Sequence, residues 1–555
     1  MKMLEIRLPD GQQHTYPEGT TLLSIAQSLQ ANYGQPIVEG MIDGVGKDLQ
    51  TPLTANCSVD FIELNTDEGM RVYVRSLLYL FITALSEKRP EVQIEVKYPI
   101  GENLFCDIIN DIVLSKYDLM DITSHMETLI QNQEPFRLLQ LTKKEAVKYL
   151  YAGNAAERIE VLSELPDEKI VSFYGFRQQG EYFFGPMLPH AGYIKVFKLA
   201  NYEKGILLRF AFKDVNEPLK PFVDQPKLVE INYEAETWSA KMGCATVAQL
   251  NGLIKTGRER QVIQVAEALQ EKKIGQIADM IAQRAKDVRL VLIAGPSSSG
   301  KTTFAQRLSI QLKVNGLHPI SLSLDNYFKE RSESPRKANG DYDFECLEAL
   351  DLELFNDHLQ RILAGETVKI PRYSFRTGRK EYRGQKITLD AEGILVIEGI
   401  HGLNERLSMA VPANKKIKVY ISALTHMSFD LYNRIQTTDM RLLRRIVRDS
   451  QFRSKDALET LRTWPAVREG EELYIFPFQE DADVMFNTTL MYEFALLKQY
   501  AEPLLREIKR EEPEYTNAQR LLALLTHVLA IDESAVPNNS IMREFIGNSI
   551  YGEIL

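Results

Sequence analysis

The stretch RLVLIAGPSSSGKTT, residues 289–303, decides the fold of the C-terminal half of this 555-residue chain. Its first half is an unbroken apolar run, which is typical of a central strand in a parallel sheet. Its second half satisfies the pattern GxxxxGK[ST] at residues 295–302, and a helical pattern follows as far as Gly316. Strand, glycine-rich loop and helix in this order predict a loop that binds phosphate groups through its backbone.

The residue types of this loop each have a chemical reason. Glycines let the backbone curl so that its N–H groups point at phosphate oxygens, Lys301 meets the β- and γ-phosphates, and the Thr302 hydroxyl ligates Mg²⁺. ATP and Mg²⁺ are therefore the expected cofactors. The residues expected to contact the nucleotide are Gly295, Ser297, Ser298, Ser299, Gly300, Lys301, Thr302 and Thr303.

From about residue 288 to residue 500, strand-like and helix-like patterns alternate, which predicts an α/β fold with a parallel sheet flanked by helices. The run ISLSL leads to Asp325, and the run ILVIE ends in Glu398. Both carboxylates are expected at the edge of the sheet that carries the loop. Asp325 is the candidate catalytic base, with a turn cap as the alternative, and Glu398 is the candidate magnesium-side carboxylate. The neighbouring His401 is a candidate substrate contact, with a structural role as the alternative.

An arginine-rich segment follows later in the chain. Arg441, Arg444 and Arg448 recur at three- and four-residue steps, with Arg445 beside them, so they share one helix face. Such a face suits a lid that closes over ATP phosphates and neutralises the charge that grows during transfer. Arg453 extends the set. Arg441, Arg444 and Arg448 are predicted to be catalytic, and the others to bind nucleotide; a solvated helix face is the alternative.

In this order the motifs resemble the uridine kinase and phosphoribulokinase group of P-loop kinases. DNYF at residues 325–328 resembles the family's Asp-Ser-Phe-Tyr, and FECLEALD at 344–351 resembles Phe-Asp-His-Pro-Asp-Ala-Phe-Asp. PRYSF at 371–375 resembles Pro-x-Tyr-Asp-Phe, and DMRLLRRIVRD at 439–449 resembles the family's lid motif. The resemblance implies transfer of the γ-phosphate of ATP to the 5′-hydroxyl of a nucleoside such as uridine or cytidine. The substrate contacts that it suggests are Tyr327, Asp343, Glu345, Tyr373, Phe375 and His401.

Departures from the family pattern concern the acceptor. Pyrimidine-specific members carry a histidine shortly after Pro-x-Tyr-Asp-Phe, where this chain has RTGRK at residues 376–380. Glu345 stands where an Asp would grip the ribose, with Asp343 as a rival. An anionic acceptor such as a sugar phosphate is the alternative. It would suit the basic residues Arg372, Arg376, Arg379 and Lys380.

The N-terminal half resembles parts of threonyl-tRNA synthetase: a small ubiquitin-like TGS domain, then an α+β editing-like domain. The positions that carry the editing chemistry of that enzyme hold Arg75, Tyr79, Phe183 and Met187. These side chains cannot together bind a metal ion or move protons, so a scaffold rather than an editing site is expected. The expected domains are a TGS-like domain at 1–65, an editing-like domain with a helical connector at 66–285, a kinase domain at 286–510 and a helical tail at 511–555.

Composition limits the partners. The net charge of −10 argues against tRNA as a partner, because proteins that bind phosphate backbones usually carry a basic surplus. An ATP-sensing RNA- or ribosome-binding regulator remains the third interpretation, and self-association into a homo-oligomer is left open. No stretch approaches the roughly 18 apolar residues of a membrane span. The first residues lack a signal-peptide core and the four cysteines are scattered, so a cytoplasmic location is expected.

Overall fold

In the computed structural model, the N-terminal strands form a mixed sheet in the order β2-β1-β5-β3-β4, in which β1 and β5 run parallel. The helix α1 begins after Thr21, whose side chain accepts a hydrogen bond from the Ser24 N–H, and it packs Leu22 and Ile25 into the core. The structure describes residues 2–152, 156–337, 340–374 and 377–552. The elements of this part are β1 (Met3–Arg7), β2 (Gln13–Pro17), α1 (Leu22–Leu29), β3 (Ile37–Ile42), β4 (Val45–Lys47) and β5 (Cys57–Glu63).

The next part packs the long helix α2 among antiparallel strands, which lie in sheets of order β10-β9-β8 and β11-β12-β7-β6. The elements are α2 (Asp67–Lys88), β6 (Ile94–Ile100), β7 (Asn103–Ile108), α3 (Lys116–Gln131), β8 (Arg137–Thr142), α4 (Lys143–Ala152), α5 (Ala156–Leu162), β9 (Ile170–Phe176), β10 (Gln179–Tyr182), β11 (Phe197–Tyr202) and β12 (Gly205–Phe210).

The positions of the editing chemistry meet in the core of this part. The Tyr79 hydroxyl donates to the Tyr174 carbonyl at 3.0 Å, and its ring centroid lies 5.2 Å from that of Phe183. Arg75 donates to the carbonyl of the residue before Met187 at 2.5 Å, and the Met187 side chain is fully buried. Packed rings and a thioether therefore fill the space in which an editing centre would need polar groups.

Glu39 on β3 is a buried carboxyl, and burial raises its pKa to about 8, against the opposing charge of Arg75. A raised pKa means that the folded protein holds this proton more tightly than the unfolded chain does. The contribution to stability is therefore present in acid and is lost as the pH rises toward about 8. We expect Glu39→Gln, which mimics the neutral acid, to raise the unfolding temperature at about pH 9 and to change it little at about pH 5.

Thermal unfolding of both proteins at the two pH values checks this expectation. Glu5→Gln is the control, because Glu5 lies on β1 with its side chain exposed to water. An equal change in unfolding temperature at both pH values would show that Glu39 does not titrate in the folded state.

The C-terminal half is built on a parallel sheet of order β14-β19-β13-β20-β21, as the alternating pattern predicted. Every residue of the central strand β13 is buried. Val291 and Ile293 of this strand belong to the same apolar cluster as Phe304 and Leu308 of α9, which covers one face of the sheet. On the other face, Leu290 and Leu292 share a cluster with residues of α10.

The elements of this half are α6 (Pro226–Lys241), α7 (Val247–Lys255), α8 (Glu259–Gln283), β13 (Leu290–Ala294), α9 (Lys301–Val314), β14 (His318–Ser323), α10 (Leu352–Leu363), β15 (Val368–Lys369), β16 (Arg372–Ser374), β17 (Arg379–Glu381), β18 (Lys386–Ile387), β19 (Gly393–Glu398), β20 (Lys416–Ser422), α11 (Thr437–Phe452), α12 (Ala457–Tyr474), β21 (Val484–Asn487), α13 (Glu493–Arg506), α14 (Tyr515–Leu525) and α15 (Arg543–Ile546). Among the described residues, none of these helices, nor any earlier one, combines the length and apolar character needed to cross a membrane.

The two halves of the chain touch through the segment that joins β20 to α11. In this segment the Leu431 carbonyl accepts from the Val96 N–H at 2.7 Å, and the Asn433 side chain donates to the Tyr182 carbonyl at 2.9 Å. Asp439, at the start of α11, lies 3.6 Å from the guanidinium group of Arg71. The N-terminal half therefore contacts the arginine-rich helix directly.

Candidate active site

The register of the sheet brings three strand ends together. Glu398, the last residue of β19, is aligned with Ile293 of β13 on one side and with Ser323 of β14 on the other. The phosphate loop follows β13, and Asp325 lies in the short turn after β14, where its N–H donates to the Ser323 hydroxyl at 3.3 Å. The structure thus places the predicted base and the predicted magnesium carboxylate at the edge that carries the loop.

The phosphate loop has the backbone that its glycines suggest. Gly300 has φ 84°, and a Cβ on Gly295 would lie 2.0 Å from the Ile421 carbonyl oxygen, so neither position suits a larger residue. The Lys301 ammonium group donates to the carbonyls of Gly295 and Pro296, at 2.9 and 3.0 Å. In the loop and the first turn of α9, the hydroxyls of Ser298, Ser299 and Thr303 are buried without a hydrogen-bond partner among the described residues. These orphaned polar atoms fit a loop whose partner is a phosphate ligand.

Charged groups crowd the cleft in front of the loop. Burial lowers the pKa of Lys301, while the negative charges of Glu398, Asp325 and Glu544 oppose that change. Asp325 opens to the cleft, yet loss of surrounding water raises its pKa against the pull of Lys301 and Arg453. Burial and the nearby Asp325 charge raise the pKa of Glu398 to about 7. A carboxylate whose pKa is raised by a second carboxylate nearby fits a divalent cation, and Thr302 with Glu398 would hold Mg²⁺ here.

Arg441 is buried between the loop and α12. Its side chain is almost fully buried, donates to the Ser297 carbonyl at 3.0 Å and forms an ion pair with Glu471 of α12. Glu471 also accepts from the Ser297 N–H at 3.0 Å and from Arg468 at 3.0 Å. The prediction that Arg441 is a catalytic lid residue is corrected accordingly, because the Ser297 carbonyl and Glu471 hold its buried guanidinium group.

Arg444 has the same kind of position. It is fully buried, donates to the Ser298 carbonyl at 3.4 Å and to the Thr488 carbonyl at 3.0 Å, and pairs with Glu493 at the start of α13. Its predicted catalytic role is likewise corrected to support of the loop. Sequence analysis missed both partner carboxylates, since Glu471 and Glu493 lie in helices outside the quoted motifs.

The remaining arginines of the segment are closer to the cleft. Arg445 donates to the Ser297 hydroxyl at 2.7 Å. Arg448 and Arg453 share the carboxylate of Asp449, with nitrogen–oxygen distances of 3.2 and 3.6 Å. Repulsion by Arg448, followed by burial, lowers the pKa of Arg453 to about 10. Positive charge is therefore concentrated at the C-terminal part of α11, which is the part able to meet phosphate charge.

The acidic residues predicted for the acceptor lie side by side. Asp343 accepts a hydrogen bond from the Glu345 N–H at 3.2 Å. Glu345 packs against Gly470 of α12, where an added Cβ would lie 2.5 Å from the Glu345 Cβ. Burial raises the pKa of Glu345 to about 7, against the opposing charge of Arg445. Glu345 therefore lies against α12, and the Asp343 carboxylate holds its backbone.

Among the described residues, the aromatic residues and the histidine that were predicted to contact the acceptor are buried. Tyr327 is in the core, with its hydroxyl 3.0 Å from His358, so its predicted role as a substrate contact is corrected. The Tyr373 ring is 7 % exposed, and its centroid lies 5.6 Å from that of Phe328. His401 is buried, and burial lowers its pKa to about 4. Phe375 lies outside the described residues.

Comparison with known proteins agrees with this geometry. Residues 290–493 match the model of the Phosphoribulokinase / Uridine kinase family. The N-terminal region is similar to Threonine–tRNA ligase of Desulforamulus reducens, with 26 % identity over 200 residues, or 36 % of this chain and 31 % of that protein. The enzyme of Halalkalibacterium halodurans is 28 % identical over 204 residues, again 36 % of this chain and 31 % of that protein. The chain thus spans about a third of the length of these relatives.

Two solved structures are also similar. One is a putative fructose transport system kinase from Silicibacter sp. TM1040, with 16 % identity and a TM-score of 0.29, covering 38 % of this chain and 98 % of that one. The other is a possible uridine kinase from Bacillus stearothermophilus, with 18 % identity and a TM-score of 0.26, covering 38 % and 97 %. By the family match and the geometry of the loop, residues 290–493 are a P-loop kinase domain of the phosphoribulokinase / uridine kinase family.

Proposed function

We propose that the chain is an ATP-dependent kinase that transfers the γ-phosphate to the 5′-hydroxyl of a nucleoside. The observation that carries this proposal is the alignment of Glu398 with Ile293 and Ser323. Asp325 and Glu398 lie at the edge of the sheet that carries Lys301, and their charges act on that lysine. This arrangement supports a proposed role for Lys301 in binding nucleotide, for Asp325 in receiving the acceptor hydroxyl and for Glu398 in holding Mg²⁺. A site that only senses nucleotide has no need of Asp325.

The residues have separate roles in the proposed reaction. Lys301 and the loop N–H groups bind phosphate oxygens, and Asp325 accepts or orients the proton of the acceptor hydroxyl. Arg448 and Arg453 offset negative charge near the transferred group. Bound Mg²⁺·ATP supplies the phosphoryl group and part of the charge neutralisation. Arg441 and Arg444 keep the loop in shape.

A neutral sugar is favoured over an anionic acceptor by the charges around the cleft. Asp343 and Glu345 are two residues apart, and the Asp343 carboxylate accepts from the Glu345 N–H. Carboxyl groups suit the hydroxyl groups of a ribose, and their negative charge would repel a phosphate. Of the basic residues that would favour a sugar phosphate, Lys380 is paired with Asp351. Arg372 and Arg379 are exposed.

An ATP-consumption screen with Mg²⁺ tests the proposal. The full chain is offered uridine, cytidine, other nucleosides and ribulose 5-phosphate, and Lys301→Ala serves as the blank. We expect a signal that depends on Lys301 with at least one nucleoside, because the lysine is the cation nearest the β- and γ-phosphates. A signal only with ribulose 5-phosphate would show that the acceptor is a sugar phosphate and not a nucleoside. ATP binding without turnover on any acceptor would favour the ATP-sensing regulator, for which the likeness to Threonine–tRNA ligase is the supporting observation.

A further inference from the structure

The C-terminal segment Ser540–Ile546, which includes α15, covers the phosphate loop, and all of its residues are buried. Ile541 lies against the loop so closely that a Cβ on Gly300 would be 2.7 Å from its Cγ2 atom. The Phe545 ring lies 5.1 Å from the guanidinium carbon of Arg444. The segment therefore packs both on the loop and on α11.

Glu544 in this segment reaches the first turn of α9. Its carboxylate accepts a hydrogen bond from the Thr303 N–H at 3.1 Å. The first N–H groups of a helix have no partner within the helix, and together with the helix dipole they form an anion site. In a phosphate-binding loop these N–H groups serve phosphate oxygens. The carboxylate of Glu544 thus stands where a phosphate oxygen would bind.

Glu471 also accepts a hydrogen bond from a loop N–H group, but in the described part of the chain it is, unlike Glu544, paired with basic side chains. Glu471 accepts from the Ser297 N–H, and Arg441 and Arg468 neutralise it. Within the described ranges, no basic side chain forms an ion pair with Glu544. Its negative charge acts instead on Lys301, the group that a nucleotide needs. Glu544 therefore competes for the same positive groups as a nucleotide phosphate.

We propose that Glu544 is an internal competitor of the nucleotide: its carboxylate holds the Thr303 N–H group until a phosphate displaces it and loosens the segment Ser540–Ile546. This inference rests on the proposed function, because it requires a nucleotide at the loop. In this proposal the segment Ser540–Ile546 lowers the affinity of the loop for nucleotide. Anything that draws the segment away would raise that affinity.

Calorimetric titration of the full chain with Mg²⁺·ATP tests the competition. Glu544→Ala is expected to lower the Kd at least about tenfold, because a charged hydrogen-bond competitor is removed. Glu544→Gln is expected to lie between Glu544→Ala and the unchanged chain, because the amide oxygen still accepts a hydrogen bond while the charge is lost. Glu507→Gln, an equal charge change at an exposed position after α13, is expected to leave the Kd unchanged.

Hydrogen exchange of the unchanged chain gives a second readout. ATP is expected to speed exchange of the amides in Ser540–Ile546. Slower exchange, or a Kd that rises or stays constant in Glu544→Ala, would overturn the proposal that Glu544 competes with the nucleotide. The kinase proposal would still stand if ATP binding depends on Lys301. Absence of ATP binding in the unchanged chain and in both Glu544 variants would overturn both.

Discussion

Asp325→Asn is expected to lower the rate of phosphoryl transfer by about 100-fold or more, the usual scale for loss of a catalytic base. The amide keeps the shape of the side chain but cannot take the proton of the acceptor hydroxyl. Nucleotide affinity is not expected to fall, because the substitution removes a negative charge from a cleft that receives phosphates. Single-turnover transfer and ATP titration, measured on the same preparation, separate these two effects.

Asp357→Asn is the matched control, since Asp357 lies on α10 with more than half of its side chain exposed and pairs with Arg361. This variant is expected to transfer phosphate at the normal rate. Near-normal turnover in Asp325→Asn would show that the base assignment is wrong and that Asp325 serves the turn after β14. A parallel loss of ATP binding would instead indicate damage to the loop.

The local sequence was sufficient to predict the phosphate loop and the positions of the carboxylates at the strand ends. The pattern at residues 289–303 fixes a strand, a turn and a helix in consecutive residues, and the runs before Asp325 and Glu398 are buried strands of one parallel sheet. Parallel strands present their carboxyl ends at one edge, so the placement of both carboxylates follows without knowledge of the strand order.

The arginine helix shows where such reasoning stops. A three- and four-residue spacing predicts which side chains share a helix face, but it does not predict which part of the protein that face contacts. In α11 the face with Arg441 and Arg444 meets the carbonyls of Ser297 and Ser298 and buried carboxylates from α12 and α13. The contact of Glu544 is still harder to predict from sequence, because Glu544 lies 241 residues from its partner Thr303. Such contacts depend on the packed chain.

The pair of Arg444 and Glu493 yields the largest expected effect on stability. Both side chains are buried, with exposed fractions of 0 % and 2 %. Glu493→Gln leaves the guanidinium charge without its counter-charge, and breaking a buried pair in this way costs about 3–5 kcal/mol. We expect the free energy of unfolding of the kinase domain to fall by about 3 kcal/mol or more. A urea titration followed by tryptophan fluorescence measures it, because Trp464 lies 5.5 Å from the guanidinium carbon of Arg441.

Glu502→Gln on the same helix α13 is the control, since its partner Arg506 has 64 % of its side chain exposed and such pairs contribute less than about 1 kcal/mol. Nucleotide binding then distinguishes the two interpretations of Arg444. A lid arginine released from Glu493 would be free to meet phosphate, so ATP affinity would rise while stability changed little. An arginine that holds the Ser298 carbonyl would lose its orientation, so ATP affinity and stability would fall together. The buried position of Arg444 favours the second result.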